Sequence, residues 1–391
     1  MSGWAAETRL ASFRGGFPAA PLSARRVAGL LDVPGCTRRL VLDAAAVRLD
    51  PLAALLGCPP AGRSPFAIAR GRQFEKLVTG DALGAVLALL RDRLGAPVTA
   101  VRQHDLSADQ VRTQFVRGDP EFRAGLTRGH VRDMLAGRDS AVNLLRRPVL
   151  ALRVGGAPIY VEPDLIGYTS TDPLHPVEIR SYPCVDGTAD EAKVSATARE
   201  MAVHVLAVRE LAARLGHDPA RVGTTGLLVL PRDFGLTPTG ETVDVAPQVR
   251  RLLRTLDAFP SPSTLVRQVP EAVALPAPPG RDATPADRAE AMAQAAEAVS
   301  VLPPRFGDGC LTCGLFTFCR GEQQASGSVA RLGSAAANLC GDVGTVAVAL
   351  DLAHGRRVPA GPAEQAVAAD LARAATVLST VPGVKGDGTP S

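Results

Sequence analysis

Lysine is almost absent from this sequence. Of its 43 basic residues, only Lys76, Lys193 and Lys385 are lysine, and the others are arginine. This imbalance is typical of a GC-rich coding bias. Arginine therefore has to serve wherever the protein needs a positive side chain.

Long apolar runs are missing as well. No run of 18 apolar residues occurs, and the first residues lack the apolar centre of a signal peptide. We therefore expect a cytoplasmic protein without a membrane segment. Aromatic residues make up only 4% of the chain, so the core should consist mainly of leucine, valine and alanine. The net charge of +4 neither requires nor excludes a nucleic-acid partner, because a basic stripe can exist on a nearly neutral protein.

The chain has the apolar fraction of a globular protein, 46%, and its central part predicts the order helix, three strands, helix, strand. Loop residues are expected over 1–30, a helical extension over 321–380 and a disordered tail over 381–391. Apolar spacing and β-branched runs place the central elements as follows: a helix over 69–95, strands over 148–154, 159–168 and 176–182, a helix over 190–215 and a strand over 225–231.

Three cysteines stand close together late in the chain. Cys310, Cys313 and Cys319 have the spacing C-x2-C-x5-C. In a cytosolic chain, such a group indicates metal binding or chemistry rather than a disulfide framework. A four-thiolate site needs one more cysteine, and zinc sites also use CxxC pairs. The spacing alone therefore leaves the metal open.

Two acidic residues lie on neighbouring strand candidates. Asp164 belongs to the segment 159–168, and Glu178 follows 14 residues later. Side chains near the ends of adjacent strands can converge on one divalent cation, and Mg²⁺ and Mn²⁺ prefer such oxygen ligands. Glu75, on the preceding helix, is a third available carboxylate. The alternative is that these acids are solvated surface residues.

The motif Pro163-Asp164, followed by Glu178-Ile179-Arg180, stands within this order of elements and between Cys36 and the three later cysteines. This arrangement resembles the RecB-like branch of the PD-(D/E)XK nuclease superfamily that carries an iron–sulfur cluster. That branch includes CRISPR-associated exonucleases and the AddB subunit of bacterial recombination nucleases. The resemblance spans about residues 30 to 320.

The resemblance implies an α/β protein with a restriction-endonuclease-like core (α-β-β-β-α-β) and helical flanks, in one domain over residues 31–320. It implies a metal-dependent nuclease that acts on single-stranded or end-containing DNA in repair, recombination or phage defence, beside a helicase or another subunit. It also implies the ligand sets: a [4Fe–4S] cluster on Cys36, Cys310, Cys313 and Cys319 that joins the two flanks of the core, and Mg²⁺ or Mn²⁺ on Glu75, Asp164 and Glu178.

The chain departs from the family pattern at Arg180, where the family has lysine. Arginine keeps the positive charge and can hold a phosphate, but its very high pKa prevents it from relaying a proton. Lys193, early in the next helix, is a possible displaced substitute. Glu200 and His204 occupy the places of a Gln-x3-Tyr pair in related nucleases. They either support the site or simply pair with neighbouring charges or solvent.

These departures leave two alternative functions open. One is a nuclease fold without activity that binds DNA or acts as a scaffold subunit and retains the cluster. The other is a structural protein whose four cysteines bind zinc. Arginines near the two motifs are candidates for a DNA groove, although some clustering by chance is expected among so many arginines. They are Arg38, Arg39, Arg70 and Arg72.

Overall fold

The computed structural model describes residues 3–20, 22–33, 35–58, 64–95, 100–107, 119–167 and 173–380. The chain forms two compact units. Unit 1 comprises Met1–Ala19, Asp32–Pro60 and Ser263–Ser391, and unit 2 comprises Ala20–Leu31 and Ala61–Pro262. Unit 2 is therefore nearly continuous in sequence, whereas unit 1 is assembled from three separate segments.

The described ranges contain helices and strands in a mixed α/β arrangement. The α-helices are α1 (Gly3–Arg14), α2 (Ala24–Leu30), α3 (Thr37–Ala44), α4 (Leu49–Leu55), α5 (Pro65–Thr79), α6 (Gly84–Leu94), α7 (Pro120–Leu135), α8 (Glu191–Arg214), α9 (Ala246–Asp257), α10 (Pro262–Val266), α11 (Pro285–Ser300), α12 (Phe316–Ser326), α13 (Ser334–Cys340), α14 (Val346–Ala353) and α15 (Pro362–Ser379). The strands are β1 (Gln103–Asp105), β2 (Leu144–Arg146), β3 (Leu150–Val154), β4 (Ala157–Val161), β5 (Leu165–Gly167), β6 (His175–Ile179), β7 (Cys184–Val185), β8 (Thr188–Ala189), β9 (Thr225–Pro231) and β10 (Pro238–Asp244).

Unit 2 is built on a six-stranded mixed sheet with the order β1-β2-β5-β6-β9-β10. Strand β5 is antiparallel to both β2 and β6. The pairs β1–β2 and β6–β9 are parallel, and β9–β10 is antiparallel. The hairpin β3–β4 forms a separate two-stranded sheet. The parallel pairing of β6 and β9 requires a crossover, and the long helix α8 provides it.

Helices pack against this sheet with apolar side chains. One core cluster joins α5 and α6 to the sheet; its buried residues are Phe74, Val78, Leu83, Val86, Leu90, Leu144, Leu165, Val177, Leu227 and Val229. Helix α8 contacts β6 and carries a long buried face that includes Met201 and Val205. All six residues from Gly226 to Pro231 in β9 are buried, as expected for a central strand.

Unit 1 consists mainly of helices in its described part. It contains α1, α3, α4, α11 to α15 and most of α10. Its C-terminal helices have a small core of their own, formed by Val329, Cys340, Val343, Val346, Ala349 and Leu352. None of the helices in the described ranges has the length and apolar content needed to cross a lipid bilayer.

Several sequence-based predictions of elements are confirmed, with shifts of a few residues at their ends. They include the strands that begin near residues 150, 175 and 225 and the long helix from 190. The strand predicted over 159–168 is interrupted between β4 and β5, because Pro163 has no backbone N–H for the ladder. Tyr168 and the tail 381–391 lie outside the described residues.

Two predictions of local structure were wrong. The segment 1–30 was expected to be a loop, but it contains α1 and α2, and the side chain of Ser23 caps α2. The single helix expected over 69–95 is divided into α5 and α6, because Asp81, Ala82 and Leu83 all have positive φ angles.

The domain boundaries also differ from those expected. One domain was predicted over residues 31–320, followed by a helical extension. In the structure, residues 32–60 belong to the same unit as the chain beyond residue 263. Buried contacts explain this: Arg38 donates hydrogen bonds to the carbonyl of Leu302 and to the sulfur of Cys319.

Candidate functional site

Asp164 and Glu178 lie next to each other at the β5–β6 pair of unit 2. Leu165 pairs with Val177 in the antiparallel register, so Asp164 directly precedes β5 opposite Glu178. The backbone N–H of Ile179 donates to Oδ2 of Asp164 over 2.8 Å. The strand pairing itself therefore brings the two predicted acids together.

Arg180 connects the acids of this site. Its Nη1 lies 3.0 Å from Oδ2 of Asp164 and 2.8 Å from Oε2 of Glu178. Its Nη2 lies 2.8 Å from Oε2 of Glu200. Burial, the largest single influence, acts to lower the pKa of Arg180, but Glu178, Asp164 and Glu200 raise it above its usual value. The guanidinium therefore stays charged and is held by three carboxylates.

Glu178 is the most buried acid of the site, with 1% of its surface exposed. Its Oε1 lies 2.6 Å from Nδ1 of His204, although the two atoms lack hydrogen-bond geometry. Within the described ranges, Nε2 of His204 is also buried without a hydrogen-bond partner. Burial alone would raise the pKa of Glu178, but His204 and then Arg180 outweigh it and hold this pKa at about 2. Glu178 is therefore ionised at neutral pH.

Asp164 differs from Glu178 in its protonation. Burial, followed by the charge of Glu178, raises the pKa of Asp164 to about 7, against the opposing effects of Arg180 and of the Ile179 N–H. Two adjacent carboxylates with separated pKa values are typical of functional sites. A bound cation would have to displace the proton of Asp164.

The stability of the metal-free protein should depend on pH through these two acids. Asp164 has a raised pKa, so the stability that it contributes is complete below its unfolded pKa of about 3.8 and is lost as the pH rises to about 7. Glu178 has a lowered pKa, so its contribution is present above about 4.5 and is lost as the pH falls to about 2. We expect the titration of Asp164 to lower the free energy of unfolding by at most about 4 kcal/mol between pH 4 and pH 7.

Thermal unfolding in EDTA, measured from pH 4 to pH 8, tests this prediction. Asp164→Asn should remove most of the decline on the alkaline side, because asparagine does not titrate. The exposed Asp92 on α6 provides a matched control, Asp92→Asn, which should decline like the natural protein. An unchanged decline in Asp164→Asn would show that another group is responsible.

Glu200 and Glu75 extend the site through arginines. Glu200 is bound on its other oxygen by Nε of Arg25, at 2.9 Å. Glu75 forms an ion pair with Arg147, which also lies 3.5 Å from Glu162. Charge from Asp164 contributes to the raised pKa of Arg147, although burial, the largest influence, opposes it. Glu75 is thus linked to the acid pair through Arg147.

Sequence reasoning missed Arg25 and Arg147. No local signal distinguishes either from the many other arginines in the chain, since Arg25 is 175 positions from its partner Glu200. The left-handed backbone of Arg147, with φ of 51°, is visible only in the structure. Its neighbour Arg123 also binds Glu162, at 2.7 Å.

Lys193 does not join the acids in the structure. Its Nζ lies 3.7 Å from Asp190 and 6.0 Å from the ring centre of Tyr182. Glu200 and His204, one turn apart on α8, do reach the site, where they contact Arg180 and Glu178. The prediction that Lys193 replaces the family lysine is therefore not supported by its contacts.

The acid pair has the donor set of a divalent-cation site. Oxygen atoms of Asp164 and Glu178 both lie within 3.0 Å of one nitrogen of Arg180. That nitrogen marks a position where one positive charge meets both carboxylates. Mg²⁺ and Mn²⁺ favour carboxylate oxygens at shorter distances, so the residues fit such an ion once Arg180 moves aside.

A second candidate site lies within unit 1. One pocket of about 380 Å³, its open mouth included, is lined by all four predicted cysteines. They are Cys36, Cys310, Cys313 and Cys319. The structure therefore brings Cys36 to the later group across 274 positions, as the resemblance implied. They join segments of unit 1, rather than the two flanks of one single domain.

Arginine and backbone donors surround these sulfurs. Nη1 of Arg38 donates to Sγ of Cys319 over 2.9 Å and also lies 2.6 Å from Glu322. Arg39 also lines the pocket, and the N–H of Gly307 lies 3.4 Å from Sγ of Cys310. Such donors stabilise thiolates that carry negative charge onto a metal or cluster.

The loop that carries Cys310 approaches the chain near Asp32 very closely. The N–H of Gly309 donates to the carbonyl of Asp32 over 3.1 Å. A side chain at Gly309 would overlap Asp32. Glycine at this position therefore allows the two segments to meet at the pocket.

Burial keeps two of the thiols protonated without a metal. It raises the pKa of Cys319 to about 11, against the lowering effect of Arg38, and it also raises the pKa of Cys310. Four sulfur donors with adjacent guanidinium groups suit a soft metal centre, which displaces these protons on binding. The residues thus fit the iron–sulfur cluster that the resemblance implies.

Arg38 and Arg39, which the sequence offered as candidates for a DNA groove, contact groups in and around the cysteine pocket in the structure. Arg38 is 2% exposed, and its guanidinium donates hydrogen bonds to Leu302, Cys319 and Glu322. Arg39 is held by the buried Asp43 at 2.5 Å. Both arginines line the cysteine pocket.

In the residues that the structure describes, no group of three or more histidine, cysteine, aspartate or glutamate side chains is arranged around a single metal ion. Comparison with protein-family models, with curated proteins and with solved structures finds no match to this chain.

Proposed function

We propose that unit 2 is a metal-dependent deoxyribonuclease domain with a restriction-endonuclease-like core. Its order supports this proposal: helices α5 and α6, the antiparallel strands up to β6, the crossover helix α8 and the parallel strand β9. The observation that carries the proposal is the convergence of Asp164 and Glu178 on one cation position.

Each residue of the site has a task in this proposal. Asp164 and Glu178 would hold the cation, and a divalent ion there would supply Lewis-acid chemistry for hydrolysis of the phosphodiester. Arg180 turns from the carboxylates to the scissile phosphate, where its fixed charge stabilises the transition state. Glu200 and Arg25 orient Arg180, and His204 keeps Glu178 ionised.

We further propose that the four cysteines of unit 1 hold a [4Fe–4S] cluster. Arg38 and Arg39 would balance part of its negative charge, and the cluster would tie residues 32–60 to the chain around residue 310. In this role the cluster is structural, since the acids that hold the cation belong to unit 2.

Substitutions of Arg180 test its part in cleavage. Arg180→Lys should retain cleavage within about tenfold, because lysine also supplies a positive charge that can stabilise the transition state. Arg180→Ala should lower the rate by about 10² to 10³, the usual effect of removing one group that stabilises transition-state charge. The measurement is single-turnover cleavage of labelled DNA with Mn²⁺, with Arg93→Ala on the exposed part of α6 as the control.

A second candidate function is a DNA-binding or scaffold subunit without activity. It is favoured by one observation: Arg180 already occupies the cation position between Asp164 and Glu178 and is held there by Glu200 as well. Under this alternative, natural protein does not cleave DNA, and Arg180→Lys gains cleavage by more than tenfold. That gain would contradict the nuclease proposal for the natural chain.

A further inference from the structure

Two phenylalanines of unit 2 are almost fully exposed. Phe66, near the start of α5, is 87% exposed, and Phe234, in the turn between β9 and β10, is 77% exposed. The chain contains only 11 phenylalanines. Single exposed apolar residues are common on protein surfaces. Phe66 and Phe234 indicate a binding surface only if they lie near each other.

Arg70 connects the two segments that carry these aromatic residues. It stands four residues after Phe66 on α5, so both side chains lie on one face of that helix. Its Nη2 donates to the carbonyl of Gly235 over 3.1 Å, and Gly235 is the neighbour of Phe234. The two exposed phenylalanines and the partly exposed Arg70 thus lie on connected segments, and we call these three residues the aromatic–arginine surface.

The turn that carries Phe234 is well fixed. Asp233 has a left-handed backbone, and its N–H donates to the carbonyl of Cys184 over 2.8 Å. The N–H of Gly235 donates to the carbonyl of Arg232 over 3.1 Å. These bonds hold a large apolar ring in solvent, where it gains nothing from the folded chain.

The same helix leads directly to the acid site. The backbone of Gly71, next to Arg70, packs so closely on Ser181 that an added Cβ would lie 3.1 Å from its Oγ. Ser181 follows Arg180 in the chain. Glu75, one turn further along α5, pairs with Arg147 beside Asp164. Helix α5 thus connects the aromatic–arginine surface with the site proposed to cut DNA.

We propose that the aromatic–arginine surface binds single-stranded DNA and guides it to the acid site. This inference rests on the proposed nuclease function and specifies its substrate. Unpaired bases stack on exposed aromatic rings regardless of sequence, and arginine neutralises the adjacent phosphates. A duplex offers phosphates to Arg70 but keeps its base faces covered, so it gains nothing from Phe66 and Phe234.

Arg72 does not share this surface. It is exposed on α5, but two residues along a helix turn a side chain about 200° away, so it lies on nearly the opposite side from Arg70. The sequence-based prediction that Arg70 and Arg72 act together therefore applies to Arg70 alone. Arg72 becomes a useful control.

Fluorescence anisotropy in EDTA tests the inference without any cleavage. The probes are a labelled oligothymidylate and a blunt duplex of the same length. Phe66→Ala and Phe234→Ala should each weaken binding of the oligothymidylate about fivefold or more, with duplex binding unchanged. Arg70→Gln should reduce the salt dependence of single-strand binding, by about 0.7 in the log–log slope per lost phosphate contact. Arg72→Gln should leave it unchanged.

Phe122→Ala provides the aromatic control, because Phe122 is 42% exposed on α7, which contacts β3, β4 and α8. Circular dichroism verifies that each variant is folded. Unchanged affinity for the oligothymidylate in the folded Phe66→Ala, Phe234→Ala double variant would overturn the inference. An equal loss of duplex affinity would overturn it too.

If the natural protein binds the oligothymidylate through this surface but cleaves no DNA, the nuclease proposal fails and the binding proposal holds. If the natural protein cleaves DNA but the phenylalanine variants bind the oligothymidylate normally, the binding proposal fails and the nuclease proposal holds. The two proposals therefore fail in distinguishable ways.

Discussion

Replacement of Asp164 by asparagine should lower Mn²⁺-dependent cleavage of DNA by on the order of 10³-fold or more. Asparagine has the same shape but carries no negative charge, so the cation loses one of its two carboxylates. The N–H of Ile179, which binds Asp164 over 2.8 Å, can still donate to the amide oxygen. The loss should therefore be chemical rather than structural.

The measurement compares rates of cleavage of end-labelled DNA by the natural protein and the variant over a range of Mn²⁺ concentrations. Asp92→Asn, at an exposed position on α6, makes the same chemical change outside the site and should cleave normally. Iron content and absorption should be equal in all three proteins, since the acid pair and the cysteines lie in different units. Cleavage by Asp164→Asn at the natural rate would exclude Asp164 as a ligand.

Replacement of Cys319 by serine should remove the cluster. A [4Fe–4S] centre requires four thiolate ligands, and Cys319 is both a member of the pocket and the partner of Arg38. We expect a natural protein that is brown when prepared without oxygen, with broad absorption near ~400 nm and about four iron atoms per chain. The variant should lose most of that iron and absorption.

The same change should destabilise unit 1, because the free energy of metal binding is available only to the folded site. Without its cluster, the pocket also holds the buried charge of Arg38 beside a sulfur that has become a hydroxyl. Cys58→Ser is the control, since Cys58 lies in the same unit, only half-buried and outside the pocket. A colourless natural protein with one bound zinc would contradict the cluster and support the zinc alternative.

The central elements of unit 2 are predictable from sequence because their signals are local. The run of apolar residues in β9 and the long apolar face of α8 can each be recognised from a short window of sequence. Strands β1 and β2 have only three residues each, and β10, with the sequence PTGETVD, is polar. Their pairing depends on neighbours that are distant in sequence, so local patterns miss them.

The candidate sites show the same division. The proximity of Asp164 and Glu178 is predictable because strands that follow each other in sequence often pair as antiparallel neighbours in a sheet. The four cysteines followed from the resemblance, and the structure places them around one pocket. The roles of Arg147 and Arg25 could not be predicted, because their partners are distant in sequence and no local pattern distinguishes them from the other arginines. The burial of Arg38 was not predictable for the same reason, because burial is a tertiary property.

Cleavage of DNA by the natural protein itself is the first property to measure. Protein purified without oxygen is incubated with end-labelled single-stranded DNA, with and without Mn²⁺, and an excess of EDTA serves as the reference. We expect cleavage that requires Mn²⁺ and stops with EDTA. Intact DNA after incubation with folded, iron-loaded protein would contradict it, and would instead support a DNA-binding subunit in which Arg180 permanently occupies the cation position.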